Sequence, residues 1–228
     1  MNLLSYIGAW KVNENSKQKK ITILQNFNKR AFDIIFSLII LPFITPIIFI
    51  IAISIKIKSP NSNPFFLQKR LGLDRKTFTV FKFTTMIPNA EDILDTWLKK
   101  DQKIKNEYLT YRKLQNDPRI IKGIGNFLRK SSLDELPQFF NVLLGDMSIV
   151  GPRPYLKDEF KNYNQNIVNT ICSTKPGITG LWQVTERNDT DFHSRVKKDL
   201  EYISERNFWM DIKIILLTIK VMILKEGV

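Results

Sequence analysis

SSLDELPQFFNVLLGDMSIVGPRP, residues 131–154, sets two adjacent carboxylates, Asp134 and Glu135, ahead of an apolar run and closes on an arginine held between prolines. Ser132 is placed to cap a helix, Leu136, Phe139, Phe140, Leu143 and Leu144 recur at helical spacing, and Gly145 supplies a stop. The spacing predicts a helix with both acids in its first turn, at the positive end of the macrodipole. Ser132-x-x-Glu135 is itself a capping box, so a helix start accounts for the acids without any chemistry. Adjacent helical residues point about 100° apart, which excludes a facing acid–base pair of the glycosidase kind. The two acids can instead divide the labour as nucleophile and metal ligand, since carboxylates act as nucleophiles and Mg²⁺ takes oxygen ligands together with substrate phosphates. Arg153, stiffened by Pro152 and Pro154, suits bidentate binding of phosphate, although a proline-stiffened connector explains it equally simply.

Upstream, AFDIIFSLIILPFITPIIFIIAISI, residues 31–55, has Asp33 as its one charge. As a straight helix it would measure roughly 38 Å, against a hydrocarbon core of about 30 Å, and almost none of its residues suits water. A membrane segment is predicted. Pro42 and Pro46 predict a kink. Lys29 and Arg30 before the run, with Lys56 and Lys58 after it, draw both ends to the cytoplasmic side under the positive-inside rule. A re-entrant helix over residues 29–58, kinked at Pro42, satisfies both features, and a plain single span is the alternative. Residues 1–28 read as a polar, basic N-terminal extension rather than a cleavable signal peptide. Residues 59–228 read as a cytoplasmic catalytic domain.

Within that domain, residues 63–86 alternate, turn at LGLDRK and continue in aromatic and β-branched residues, which predicts a β-hairpin. Most of its cations read as solvated, but Lys82, between Phe81 and Phe83, is expected to turn into a cleft. Asn89, with Asp92 three residues on, is placed to cap one long amphipathic helix marked by Ile93, Trp97, Ile104, Tyr108 and Tyr111. A short connector bearing Arg119 and Arg129 leads back to the Ser131–Pro154 stretch. Further on, Pro176-Gly177 fits the central positions of a type II turn. Residues 208–224 form an apolar helix with Lys213 and Lys220 on one face, equally suited to the membrane interface and to a core with snorkelling lysines. The fold class expected is mixed α/β and membrane-associated, with a re-entrant helix, a small hairpin and interfacial amphipathic helices.

The chain has 228 residues, enough for one domain with a substantial core, and a formal charge of +13, which calls for an anionic partner. One cysteine, Cys172, and one histidine, His193, exclude an intramolecular disulfide and a Cys/His zinc cluster. Both read as packing or surface residues. A membrane helix, a basic body, paired carboxylates and a fixed arginine together point to phosphate chemistry at a bilayer surface.

Four segments, RAFDIIFSLIILPFITPIIFI, NPFFLQKRLGLDRKTFTVFKFTTM, DPRIIKGIGNFLRKSSLDELPQFFNVLLGDMSIVGPRP and KPGITGLWQV, resemble in order the motifs of bacterial sugar transferases, the monotopic polyprenyl-phosphate phosphoglycosyl transferases. The resemblance runs from about Lys29 to the C-terminus and is to the small, catalytic-domain-only form. It implies an enzyme of the bacterial inner membrane, facing the cytoplasm, that moves a phosphosugar from a UDP-sugar to undecaprenyl phosphate and releases UMP. The product would begin a glycoconjugate such as a capsule, exopolysaccharide, O-antigen or glycoprotein glycan. It implies Asp134 as the nucleophile that forms a phosphosugar-enzyme intermediate, and Glu135 as the Mg²⁺ ligand. Lys82 and Arg129 would support the site, and Arg153, Pro154 and Arg187 would bind substrate. Its partners would be the UDP-sugar, undecaprenyl phosphate and membrane lipid, with a homodimer compatible and nucleic acid excluded.

Three departures from the family pattern stand out. Thr84-Thr85 replaces the usual Arg-Ser after Lys82-Phe83, Glu186 replaces the usual Gly before Arg187, and Leu41-Pro42 replaces the usual Ser-Pro at the kink. None touches the dyad. The rival readings are a catalytically silent membrane-bound interaction subunit of the same fold and a basic nucleic-acid binder, the latter disfavoured by the absence of any nucleic-acid motif.

Overall fold

The structure, a computed structural model, describes residues 23–111, 114, 117–185 and 191–224. Most of the N-terminal extension and Arg187 therefore lie outside the described residues. The first element, α1 (Ile23–Lys58), is one helix with Pro42 and Pro46 inside it, starting upstream of the predicted Lys29. Asp33, Ser37, Leu41, Ile44, Ile48, Ile51 and Ile55 are buried at three- and four-residue spacing. Between them Ile35, Ile39, Phe43, Phe49, Ile50 and Ile57 stay exposed, so the helix is apolar on its outer face as well as its inner one. It is long and apolar enough to cross a membrane.

Strands β1 (Phe65–Leu71) and β2 (Thr77–Phe83) form the predicted antiparallel hairpin, with Phe65 opposite Phe83 and Leu71 opposite Thr77. The helix expected over residues 89–116 is two helices, α2 (Ala90–Lys100) and α3 (Gln102–Tyr111). Asp101 breaks them: its backbone is extended, and its carboxylate accepts the amides of Lys103 and Ile104, capping α3. Asn89 is in the left-handed region and makes no side-chain cap, so the predicted cap is absent. The predicted face is nonetheless the half-buried one, with Ile93, Trp97, Ile104, Tyr108 and Tyr111 turned inward.

The connector contains a helix of its own, α4 (Ile124–Ser131). After the dyad come α5 (Gln138–Leu144) and β3 (Ser148–Val150), followed by α6 (Gln165–Ile171) and β4 (Gly177–Thr179). Strands β3 and β4 pair in parallel, Ser148 opposite Gly177. Gly177 lies in this pair with no positive φ, which rules out the predicted type II turn. Its glycine is needed for close approach instead: a Cβ at Gly177 would fall 2.1 Å from the Gly151 amide nitrogen. Helices α7 (Leu181–Thr185), α8 (Phe192–Glu205) and α9 (Phe208–Ile223) complete the described chain.

Three apolar clusters join these pieces. Leu41, Ile44, Ile48, Ile51 and Ile55 of α1 meet Phe83, Leu128 and Leu136. Tyr155, Phe160, Val168, Cys172, Phe192 and Val196 pack beneath the hairpin's end at Leu71. Val80, Val142, Met147, Val150, Tyr202 and Ile214 tie β2, α5, β3, α8 and α9 together. Cys172 is a packing residue and His193 an exposed one beside Tyr163, as expected. Helix α9 buries Asp211, Ile214, Ile215 and Val221 and presents Trp209, Lys213, Leu216, Lys220 and Ile223 outward, a face that mixes apolar and cationic side chains.

Candidate active site

The dyad does not stand in the first turn of a capped α-helix. Ser132 adopts the left-handed conformation (φ 56°), its amide closing the end of α4 on the Arg129 carbonyl, and its side chain makes no cap. A short 3₁₀ turn, Leu133–Glu135, then holds the two acids, and Pro137 starts α5 afresh. The capping box is unmade because Glu135 is engaged elsewhere. The buried face of α5 also differs from the predicted one: Gln138, Asn141 and Val142 are inside, whereas Phe140 and Leu144 are exposed. Gly145 ends the helix in the left-handed region, as expected.

This reversal sets the dyad between α4, β2 and the loop after β3. Lys82 Nζ reaches Glu135 Oε1 at 2.5 Å, the cleft position its aromatic neighbours predict. Asn141 fixes that alignment: its side chain donates to the Thr79 carbonyl (2.7 Å) and accepts the Phe81 amide (2.9 Å), tying α5 to the strand that bears Lys82. Burial alone would raise Glu135, but the charge and hydrogen bond of Lys82, with Arg153 and Gln138 adding to them, hold its carboxyl below the ordinary range. Asp134 has no such partner among the described residues. Burial and the neighbouring Glu135 charge outweigh Lys82 and Arg129 and push it up to about 6. Arg129, half-buried on α4, is itself lowered by burial, with Asp134 opposing.

Arg153 comes from a tethered loop. Gly151 N donates to Thr179 O (3.0 Å), Gly177 N to Pro152 O (2.9 Å), Arg153 N to Asp199 Oδ2 (3.0 Å) and Arg70 to Pro154 O (3.1 Å). A Cβ at Gly151 or Gly180 would strike backbone within 2.5 Å, so this crossing of the loop over β4 requires glycine at both positions. The two prolines thus restrict a segment whose backbone groups are already held from three sides. Arg70 belongs to a hairpin whose cations mostly read as solvated. It is enclosed instead, pairs with Glu159 (3.6 Å) and is lowered to about 10, by burial first and then by Arg153.

Lys82, Arg129, Asp134, Glu135, Arg153 and the Pro154 backbone therefore converge. Sequence reading missed Arg70, Gln138, Asn141, Arg195 and Asp199, whose local patterns carry no signal for a site. Among the described residues no cluster of three or more His, Cys, Asp or Glu side chains forms a ready-made metal cage. The two carboxylates still suit Mg²⁺, which uses one or two protein carboxylates and completes its shell with water and substrate phosphate.

The foot of α1 joins the same body. Lys29 bridges Asp33 (3.0 Å) and Asp211 (3.1 Å), and Asp33 also accepts the Ser148 hydroxyl and Ile149 amide (3.1 Å each). Arg30 donates to the carbonyls of Val142 and Leu143 (3.0 Å), closing the C-terminal end of α5.

The sequence profile described as "Bacterial sugar transferase" matches residues 24–225. The chain belongs to that family. It is 42% identical over 201 residues to the undecaprenyl-phosphate galactose phosphotransferase of Salmonella typhimurium, covering 88% of this chain and 41% of the relative. The UDP-glucose:undecaprenyl-phosphate glucose-1-phosphate transferase of Escherichia coli is 42% identical over 198 residues, 84% of this chain and 39% of its own length. This sugar transferase chain thus spans about two fifths of those relatives. It matches 87% of the exopolysaccharide production protein ExoY of Sinorhizobium fredii, at 36% identity over 88% of this chain.

Proposed function

We propose that this sugar transferase moves a phosphosugar from a UDP-sugar to undecaprenyl phosphate, releasing UMP. The observation that carries the proposal is the asymmetry of the dyad: Glu135 is paired with Lys82, while Asp134 makes no ion pair among the described residues, is partly exposed and lies within the field of Arg129. The names of the relatives from Salmonella typhimurium and Escherichia coli support the substrates, galactose and glucose being the sugars named. The name of the Sinorhizobium fredii relative supports exopolysaccharide assembly as the use of the product.

In this reading an Asp134 oxygen attacks the β-phosphorus of the UDP-sugar. The bond from that phosphorus to the bridging oxygen breaks, and the bridging oxygen leaves with its electron pair as part of UMP. An acyl-phosphate phosphosugar remains on Asp134. The phosphate oxygen of undecaprenyl phosphate then attacks the same phosphorus, the Asp134–phosphorus bond breaks, and the carboxylate is regenerated. Lys82, Arg129 and Arg153 stabilise the charge that spreads over the phosphoryl oxygens. Glu135 would hold Mg²⁺ together with donor phosphates, and the ion would supply further neutralisation of that charge.

The second substrate is a lipid, and the placement of α1 suits it. Its first turns are ion-paired to α9 and hydrogen-bonded to α5 and β3, while Ile51 and Ile55 near its end pack with Phe83 and Leu128 of the same body. Both ends held on one body favour a helix that enters one leaflet and returns over one that crosses. The exposed apolar face of α1, with Phe140, Leu144, Trp209 and Leu216, would lie in lipid or at headgroup level, and the catalytic domain would face the cytoplasm.

Asp134→Asn tests the assignment: UMP release from a UDP-sugar with undecaprenyl phosphate and Mg²⁺ should fall to background while the variant retains the wild-type melting temperature. Turnover that survives the change removes Asp134 from the role of nucleophile.

A further inference from the structure

Beside Arg153, over the same Trp182 ring, lies a second cation. Arg195, in the first turn of α8, is 5% exposed, and its guanidinium carbon sits 5.1 Å from the centre of the Trp182 ring. Arg153 approaches the same ring at 5.7 Å. Neither arginine forms an ion pair with a carboxylate among the described residues. Arg195 Nε and Nη2, Arg153 Nε and Trp182 Nε1 are all buried with no acceptor among the described residues. Four unpaired donors in one cluster are costly, because each has given up water without replacement. The aromatic ring steadies the cations but offers no lone pair in the plane of their N–H groups. Among the described residues the acids around them do not neutralise them: Asp199 spends one oxygen on Arg153 N and Tyr155, and its burial raises it to about 7. Its other oxygen, Oδ1, is also unpartnered. Glu159 is turned to Arg70 and the Leu156 amide, and Asp191 caps α8.

We propose that Arg195, with Arg153 and Trp182, forms an anion subsite for the phosphate of the departing nucleoside monophosphate, distinct from the dyad that receives the transferred phosphoryl group. This rests on the donor reading given above. Arg153 shares the Trp182 ring with Arg195 and its charge is felt at Glu135, so it is close to both centres. As the bridging oxygen leaves, charge builds up on the nucleotide phosphate, so cations on that side act on the developing product. The subsite supplies donors where that charge appears, and Trp182 orients Arg153 without quenching it.

Binding of UMP and of uridine to the full chain in lipid nanodiscs, by calorimetry, tests the proposal independently of turnover. Arg195→Gln should weaken UMP about 10- to 100-fold, as expected for loss of hydrogen bonds to a charged group, and leave uridine unchanged. Arg195→Lys keeps the charge but loses the planar fork, and should fall between the two. With a UDP-sugar as substrate, Arg195→Gln should raise KM and the UMP inhibition constant together. UMP affinity within twofold of wild type in a folded Arg195→Gln protein overturns the subsite. Should that variant fail to fold, Arg195→Lys binding UMP as tightly as wild type overturns it equally. If the wild type releases no UMP from any UDP-sugar yet binds inorganic pyrophosphate in an Arg195-dependent way, the donor reading fails and the anion subsite stands. If turnover is normal and Arg195 is indifferent, the reverse holds.

Discussion

Two neighbouring carboxylates acquire different characters here through their surroundings alone. Glu135 is held ionised by Lys82, whereas Asp134 is raised by burial and by the charge of Glu135 itself. Removing the cation should therefore disturb both acids at once: Lys82→Met is expected to lower kcat about 10²- to 10³-fold, the usual cost of one charge-stabilising group, measured as UMP release. Asp199 gives a different readout. Its carboxyl titrates near 3.8 when unfolded and at about 7 in the fold, so between those values the folded protein keeps a proton that the unfolded chain has lost. The stability this contributes is complete below pH 4 and is lost as pH rises through 7. Asp199→Asn abolishes that slope, and the melting temperature of the variant minus that of the parent should increase steadily from pH 4 to 7. At this scale the sequence singles out Asp134, Glu135, Lys82 and Arg153, which the fold brings close together, because acids beside a proline, a lysine between phenylalanines and an arginine between prolines are locally odd. Arg70 and Arg195 lie in ordinary polar surroundings, and only tertiary enclosure makes them part of a cationic wall.

The elements matter because they turn these residues toward one another. The hairpin was legible from its alternation and its turn, and its register places Lys82 on the cleft side. The helix after the dyad was legible only in its second half. Left-handed Ser132 and the restart at Pro137 replace the predicted cap, and this reversal is what brings Asp134 toward Arg129. Pro176-Gly177 has the local pattern of a turn, whereas the role of Gly177 is to let two strands pass at backbone contact. Local pattern is silent on such contacts, which depend on what lies across the fold. Asn141 is the clearest case, a polar residue on an apolar helix whose two bonds to β2 cannot be inferred from spacing. Asn141→Ala leaves a buried carbonyl and a buried amide unpaired at about 1–3 kcal/mol each. Chemical denaturation should register a loss of roughly 2–6 kcal/mol, with activity falling as Lys82 loses its alignment.

Taken whole, the molecule is an apolar helix clamped to a basic catalytic body. Composition and hydropathy made this division legible. The use of Lys29 and Arg30 was not, because a flanking cation that obeys a charge rule looks the same as one that pairs with Asp33 and Asp211 or closes α5. The clamp makes a topological prediction. Phe27, exposed at the start of α1, should as Phe27→Cys react with a membrane-impermeant reagent only from the side of the catalytic domain, with buried Cys172 contributing no background. Labelling from the opposite face would mean that α1 crosses. The central claim, that Asp134 takes the phosphosugar before the lipid does, is tested most directly by intact-protein mass spectrometry after mixing with a UDP-sugar and Mg²⁺ in the absence of undecaprenyl phosphate. The account predicts one phosphosugar adduct per chain, mapped to Asp134, formed with an equal amount of UMP and discharged by adding the lipid. UMP release that requires the lipid and leaves the protein mass unchanged would contradict it.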